Sequence, residues 1–353
     1  MSVHNPADPV SGFAGVPRNM TGIAEKLASA GYQTHFAGKW DAGMASPDHT
    51  PKGRGYSTSM LYFHHANDYW TSDAGGCNFS HSRKEPLTPI ADLWADSAPA
   101  YGLNNSQACS QSAQAGCKYE DDIFMDEVLR VVAAHDVSKP FFFFWASHIA
   151  HAPLQVPQAY LDKFAWIGED SSPRMFYAAM ANYVDDLVGK FVSALKAKGM
   201  WDNTLWLSSA DNGGPIYSSG AAGANNWPKR GGKMSNWQGG INVNAYAAGG
   251  VLPAAMSGKK LDGLAHGADL YTTFCALAGV DPTDARAAAA GLPPVDGVNL
   301  WPYISGANST SARTEVPIGS ESTEANLLKN NDTVVQGLVR ADGWKLLIGE
   351  TGQ

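Results

Sequence analysis

The chain has 353 residues, enough for one large α/β domain or two ordinary ones, which excludes small disulfide-stapled scaffolds. With 44% apolar and 16% charged residues, 37 Gly and 20 Pro, it reads as globular and loop-rich, which excludes long helical arrays and disordered chains. A formal charge of −8, from 25 Lys and Arg against 33 Asp and Glu, leaves no general basic footprint for nucleic acid, so any anion site is local.

No apolar stretch approaches the length of a transmembrane segment, and the opening Met1-Ser-Val-His-Asn-Pro-Ala-Asp carries neither a basic n-region nor an apolar h-region. Asn-x-Ser/Thr sequons at Asn19, Asn78, Asn104, Asn308 and Asn331, together with Cys77, Cys109 and Cys117 in a Gly/Ser/Asn-rich stretch, suit a secreted chain. Chance sequons and unpaired loop cysteines are the plainer alternative. Cys275 falls in an apolar helical pattern and is expected to be a buried thiol.

Helix and strand alternate along the chain. Residues 20–30 place Ile23 and Leu27 one turn apart and stop at Gly31, after which 32–37 reads as a strand ending at Gly38-Lys39. Residues 119–135 set Phe124, Val128, Val131 and Val132 on one helical face. Pro140 then leads into a strand at 141–147, whose adjacent aromatics predict burial on both faces. Ser172 as N-cap, Pro173, the stripe Met180, Val184, Leu187, Phe191 and Leu195, and Gly199 as terminator define a long helix, followed by a strand at 204–209. Residues 266–278 read as a further helix, and 337–340 with 344–348 as a hairpin turning at Ala341-Asp-Gly343. The alternation predicts a mainly parallel sheet covered on both sides.

In such sheets ligands bind beyond the carboxyl ends of the strands. Lys39 and Asp41 follow the first strand, His148 and His151 the second, and Asp211 and Asn212 the third. Singly, each has an ordinary structural reading; three on successive strands point to a site. Asp211-Asn212-Gly213-Gly214 offers two hard oxygen ligands on a tight turn, suited to Ca²⁺ or Mg²⁺, or else a self-stabilised Asx turn. Asn225-Asn-Trp-Pro-Lys-Arg-Gly-Gly-Lys233 packs three cations into a Gly-rich loop, an anion cradle or a solvated basic loop. A Walker A loop is excluded, because Trp227 stands at the first glycine position and Met234 follows Lys233. No Gly-x-Gly-x-x-Gly follows a strand, and zinc is disfavoured because no His-x-x-x-His lies on a helix.

Gly31-Tyr-Gln-Thr-His-Phe-Ala-Gly-Lys-Trp40, His151-Ala-Pro-Leu-Gln-Val156, Ser209-Ala-Asp-Asn-Gly-Gly214, the 225–233 loop and Gly239-Gly240 resemble, in order and spacing, the signatures of the calcium-dependent type I sulfatases, closest to the arylsulfatase B branch. Ala265-His-Gly-Ala-Asp-Leu270, Asp296-Gly-Val-Asn-Leu-Trp301 and Val339-Arg-Ala-Asp-Gly-Trp-Lys-Leu-Leu347 extend the resemblance from about residue 16 to the end. It implies an α/β, alkaline-phosphatase-like sandwich with a large, mainly parallel sheet flanked by helices, plus the start of a smaller C-terminal antiparallel element. A catalytic-type domain is expected over 16–305 and a partial antiparallel subdomain over 306–353.

The implied function is hydrolysis of aryl or sugar sulfate esters, with Ca²⁺ as cofactor and a formylglycine nucleophile made from a cysteine in Cys-x-Pro-Ser-Arg. Carried over by position, Lys39 and Lys233 bind the sulfate, His151 protonates the leaving oxygen, and Asp211 and Asn212 ligate calcium. The implied partner is a sulfated small molecule or glycan, with no nucleic acid and no transmembrane segment. The family implies a secreted or lysosomal location.

The chain also departs from the family. The cysteine motif and an acidic pair on the first strand are expected before residue 20 and are not found, and Cys77 falls after Lys39 without flanking Pro and Arg. The expectation is a chain truncated at its N-terminus, without the formylglycine precursor, about half of the calcium ligands and one strand. The C-terminal end is likewise expected to be cut. Asp41 stands where the family usually has a histidine that serves as base; His49 and His151 are candidate substitutes. The alternative function is a non-catalytic relative that binds sulfated glycans or a protein partner. The 56–118 stretch, with Tyr62, Phe63, Tyr69 and Trp70, is expected to shape the pocket.

Overall fold

The computed structural model describes residues 15–74, 91–100, 102–103, 107–168, 172–216, 222–321 and 334–347. Cys77, Asn78, Asn104 and Asn331 lie outside the described residues. The chain divides into two units, Met1–Met200 with Ala278–Val295, and Trp201–Leu277 with Asp296–Gln353.

The first unit opens with helix α1 (Ile23–Ser29), where Glu25 in the first turn accepts the Gly22 N–H at 2.7 Å and so satisfies a backbone donor at the helix start. Strands β1 (Gln33–Lys39), β2 (Thr58–Tyr62), β3 (Trp94–Ala95), β4 (Ala98–Pro99) and β5 (Phe141–Ala146) form one sheet in the order β4-β3-β2-β1-β5. β1 runs parallel to both neighbours, with Lys39 opposite Tyr62 and Gly38 opposite Ala146, whereas β2, β3 and β4 pair antiparallel. Helices α2 (Glu120–Ala134), α3 (Gln158–Leu161) and α4 (Ser172–Ala197) complete the unit's main elements.

Alternation along the strands sends side chains to both faces of the sheet. Phe36 joins Ala24 of α1, Tyr56 and Leu61 in one core, with the Phe144 ring 5.6 Å from Phe36. On the opposite face Phe141 meets His135 at 4.7 Å and Phe143 meets Phe191 of α4 at 5.5 Å. The α4 stripe buries Met180, Tyr183, Leu187, Phe191 and Leu195, each contributing about 1.5–3 kcal/mol by leaving water. Tyr183 takes the place expected for Val184, which is half-buried.

One expectation is corrected at β5. Its aromatic run predicts burial on both faces, yet its side chains are half-buried and Phe144 is 49% exposed. The reason is position: β5 ends the described sheet and pairs only with β1, so one flank has no neighbouring strand to pack on it.

In the second unit β6 (Trp206–Ser209) pairs antiparallel with β7 (Ala245–Ala248), and the short helix α5 (Gln238–Ile241) lies between them in sequence. Helix α6 (Gly267–Ala278) buries Asp269, Thr273 and Cys275. β8 (Glu315–Glu321), β9 (Val334–Arg340) and β10 (Lys345–Leu347) form an antiparallel sheet in the order β10-β9-β8. The expected hairpin is present, with Gly343 at a φ of 91° in its turn.

Candidate active site

In the first unit the carboxyl ends of β1, β2 and β5 converge on a cluster of ionisable side chains. Gly38 sets the approach: its φ is 104°, and any Cβ there would overlap the Ala146 carbonyl oxygen, so only glycine fits. Trp40 then anchors the chain by donating its indole N–H to the Gly43 and His49 carbonyls at 2.9 Å each. Between these fixed points Lys39 is 17% exposed and its Nζ lies 3.4 Å from Asp41 Oδ2. That oxygen also accepts the Nδ1–H of His65 at 2.9 Å. The His65 ring stands edge-on to His151 with centroids 5.6 Å apart. His151 donates its Nδ1–H to the Ala152 carbonyl at 2.7 Å, which makes Nε2 the nitrogen that can exchange a proton with a ligand.

Behind this cluster is a fully buried polar layer. His148 Nδ1 and Glu120 Oε2 are 3.0 Å apart with neither side chain exposed, and Asn67 donates to Glu120 Oε1 at 2.5 Å. Burial pushes His148 well below its ordinary value, with the positive charges of His151 and Lys39 acting in the same direction. Burial, with Asp121 adding to it, pushes Glu120 well above its own. Both shifts disfavour the charged forms of this buried pair. Tyr69 stacks on His148 at 3.8 Å and donates its hydroxyl to the carbonyls of His148 and His151, at 2.9 and 3.0 Å, which ties the His151 loop to this layer. The loop is held downstream as well: Gln111 exchanges two hydrogen bonds with the Val156 backbone, and Gln114 accepts the Gln158 N–H at 2.8 Å. Gln111 and Gln114 sit inside the loop closed by the Cys109–Cys117 disulfide.

Asp121 yields a stability prediction. Burial raises its carboxyl to about 7, against an ordinary 3.8, although Ser147 donates to Oδ1 at 2.9 Å. The folded carboxyl stays protonated over a range in which the unfolded one ionises. Its contribution is complete below about pH 4 and is lost as pH rises towards 7, by up to about 4 kcal/mol at 1.36 kcal/mol per unit. Asp121→Asn is therefore expected to gain thermal stability relative to the parent as pH rises from 5 to 8. Parallel melting curves across that range are the check.

In the second unit Asp211 and Asn212 follow β6. Asp211 Oδ1 accepts the N–H of the adjacent Asn212 at 2.8 Å, while the Gly213 N–H that an Asx turn would use goes to the Gly240 carbonyl, and the exposed carboxylate remains a hard oxygen donor. A Cβ at Gly213 would overlap the Gly239 carbonyl, and one at Gly239 would overlap the Gly231 carbonyl, so both positions need glycine. Asn226 joins the turn to the cationic loop: it accepts the Gly214 N–H at 3.1 Å and donates to the Gly214 and Gly231 carbonyls at 2.7 and 3.1 Å. Of the loop's cations, Lys229 donates to the Asn242 carbonyl, Arg230 lies 3.9 Å over the Trp237 ring, and Lys233 is half-buried with its backbone N–H on the Gly214 carbonyl at 3.2 Å. Asn226→Ala is expected to cost about 1–3 kcal/mol, because it leaves partly buried backbone groups unsatisfied. Faster amide exchange at Gly214 and Lys233 would register the loosening; unchanged exchange would show that the turn and loop hold without Asn226.

The sulfatase family profile matches residues 1–280. This chain belongs to the sulfatase family. It is 28% identical to arylsulfatase J of Mus musculus over 350 residues, covering 96% of this chain and 52% of that protein. It is 27% identical to N-acetylgalactosamine-6-sulfatase of Homo sapiens, covering 82% of this chain and 49% of that one. This sulfatase chain thus spans about half the length of the curated relatives it matches. Among solved structures it is similar to Ps i-CgsB in complex with k-i-k-neocarrahexaose, with a TM-score of 0.69 and 27% identity over 88% of this chain and 63% of that one. It shares its fold with the PsFucS1 sulfatase from Pseudoalteromonas sp., with a TM-score of 0.67 and 20% identity over 97% of this chain and 68% of that one.

Within this sulfatase chain, Lys39 and His151 come together in the first unit, and Asp211, Asn212 and Lys233 fall in the second. Other expectations are corrected. His148 points inward, and His49 is 1% exposed with its Nδ1 on Ser46 Oγ at 2.8 Å, so neither faces the cluster. Tyr62, Tyr69 and Trp70 are core side chains rather than pocket walls, since the segment that carries them includes β2 and a buried aromatic stack. His65 was missed for the same reason. The Met60-Leu-Tyr62 run after Thr58-Ser59 was its signal, because a strand there places His64-His65 at a strand's carboxyl end.

Proposed function

We propose that the chain is the catalytic-type part of a sulfuric ester hydrolase acting on sulfated sugars or aryl sulfates, with a sulfated glycan as the preferred class. The observation that carries this reading is the first-unit cluster itself: a largely buried lysine, a histidine with its proton-exchanging nitrogen defined by the Ala152 bond, and an Asp–His pair, all at strand carboxyl ends. Support for sugar esters comes from the relatives, among them an N-acetylgalactosamine-6-sulfatase and a structure bound to a neocarrahexaose. In this reading the Lys39 ammonium holds sulfate oxygens and stabilises the charge that builds on them, and His151 protonates the departing alcohol oxygen. Lys233 supplies a second sulfate-binding cation.

Calcium would be held by Asp211 and Asn212. They offer two oxygens of the six to eight that Ca²⁺ takes, and among the described residues no group of three or more His, Cys, Asp and Glu side chains could hold a metal. When bound, the ion would act as a Lewis acid on the sulfate oxygens. The described cysteines do not fit a formylglycine precursor: Cys109 and Cys117 are joined in a disulfide and Cys275 is buried. That observation favours a second reading, a relative that binds sulfated glycans without turning them over.

Sulfate release from 4-nitrocatechol sulfate and from a sulfated galactan oligosaccharide, measured by ion chromatography with calcium and with EDTA, separates the readings. Calcium-dependent release is the expected result. Saturable binding of the oligosaccharide without release would replace hydrolysis by the binding reading, and neither binding nor release would remove both.

A further inference from the structure

We propose that Tyr69 is a positioning residue for His151: its hydroxyl holds the backbone turn that carries the imidazole, and so sets how well that histidine delivers a proton to a departing sugar oxygen. The proposal deepens the sulfatase reading and rests on it.

The turn is compact. The His148 carbonyl accepts the His151 N–H at 3.0 Å, which closes residues 148–151 into a single turn. The Tyr69 hydroxyl donates to the carbonyls at its two ends, His148 at 2.9 Å and His151 at 3.0 Å, one proton shared between two acceptors. Burial pushes this hydroxyl well above the ordinary tyrosine range, so it stays a donor at any working pH. The His151 Nδ1–H in turn bonds the carbonyl of the next residue, Ala152, at 2.7 Å, so Nε2 moves where the backbone moves.

Tyr69 is itself rooted in rigid structure. Its carbonyl accepts the N–H of Glu120, the first residue of α2, at 2.9 Å, and its ring stacks on those of Tyr119 and His148. The same segment grips the loop again beyond His151. The Tyr69 N–H goes to Gln155 Oε1 at 3.0 Å, and Gln155 Nε2 donates to Asp68 Oδ2 at 2.7 Å. The loop is thus held on both sides of the histidine by two adjacent residues.

An ordinary core tyrosine is the competing account. A phenylalanine would fill the same aromatic stack, and a buried hydroxyl costs free energy unless hydrogen bonds offset its lost hydration. Both bonds of the Tyr69 hydroxyl fall on the turn that carries His151. Tyr119, its neighbour in the stack, supplies the contrast, since its hydroxyl reaches the same loop only further along, at the Gln155 carbonyl, at 2.8 Å.

The chemistry tells the two accounts apart. When the bond from sulfur to the ester oxygen breaks, its electron pair goes to that oxygen, which takes the Nε2 proton of the His151 imidazolium. A sugar alkoxide is too basic to leave without that proton, whereas the anion of a nitrocatechol leaves readily. A displaced imidazole therefore slows sugar esters selectively, and a general loosening of the fold does not.

Kinetics of the full chain with Tyr69→Phe and, as the matched control, Tyr119→Phe test the proposal on a sulfated galactan oligosaccharide and on 4-nitrocatechol sulfate. Tyr69→Phe is expected to lower kcat on the oligosaccharide about 10-fold or more with little change in KM, and kcat on 4-nitrocatechol sulfate by less than about 2-fold. Tyr119→Phe is expected to lose similar thermal stability while the ratio of the two rates stays at the parent value. Parent-level rates or equal losses on both substrates in Tyr69→Phe, or the same change of ratio in Tyr119→Phe, overturn the positioning role and leave the sulfatase reading intact. No release from either substrate by the parent chain overturns the reading and the positioning role together. Should Tyr69→Phe not fold, amide exchange in the parent chain decides: the His151 N–H is expected to exchange as slowly as the core of α2, and exchange as fast as an exposed loop overturns the clasp.

Discussion

Lys39→Ala is expected to lower kcat/KM for sulfate release by about 10²–10³-fold while the thermal midpoint moves by no more than about 3 °C. The size follows from removing one preorganised positive donor aimed at charge that develops in the transition state. The small stability cost follows from the surroundings. Lys39 sits at the last position of β1, where its backbone pairing opposite Tyr62 does not depend on the side chain. Asp41, its ionic partner among the described residues, keeps the bond to His65 when the ammonium is gone. Lys39→Arg retains the charge but replaces a compact ammonium with a wider planar group, and so should recover only part of the loss. Steady-state kinetics with both variants, beside their melting curves, decide the matter. A fall in stability as large as the fall in activity would make Lys39 a folding residue and remove it from the site.

Arg313→Met is expected to destabilise the second unit by about 3–5 kcal/mol, because it strands a buried carboxylate. Asp269 has no exposed surface, and Arg313 is 8% exposed. The guanidinium donates to Asp269 from Nε at 2.7 and 2.9 Å and from Nη2 at 2.5 Å, and it also reaches the Asp296 and Glu315 carbonyls at 2.9 and 3.2 Å. Asp269 in turn accepts the N–H groups of His266 and Val298, at 2.7 and 2.9 Å. One ion pair therefore joins the start of α6, the 296–298 segment and the entry to β8. The loss should appear calorimetrically as a fall of about 10 °C in the unit's transition. In the double variant Asp269→Leu/Arg313→Met, no unpaired charge remains, and part of the stability should return. If the double variant is as unstable as the sum of the single ones, the pair's value lies in its backbone bonds rather than in charge compensation.

Much of the architecture was legible because it rests on local rules. Pro140 before an apolar run, Ser172-Pro173 at a helix start and Asp-Gly in a hairpin each state their conformation within a few residues. Lys39, His151, Asp211, Asn212 and Lys233 were legible as candidates because they follow strands or sit in glycine-rich turns. The rest depended on partners far away in sequence. Nothing near Asp269 announces that Arg313, 44 residues on, will neutralise it, and nothing near Asp41 announces His65 across the β1–β2 crossover. The aromatic residues from Tyr62 to Trp70 misled because composition cannot tell a pocket wall from a core stack. That distinction is made by Tyr119 and His148, which close over Tyr69 from α2 and from the loop after β5.

The Cys109–Cys117 bridge links the chemistry of the surroundings to the candidate proton donor. The loop it closes presents Gln111 and Gln114 to the backbone of Val156 and Gln158, and that same stretch leads back to His151. Thiols kept reduced would leave this clamp as an open nine-residue span whose glutamines must find Val156 against their own chain entropy. The redox state of the compartment in which the protein is made thus bears on how well the His151 loop is held, and a host that forms disulfides is the proper source of protein for every activity measurement described above.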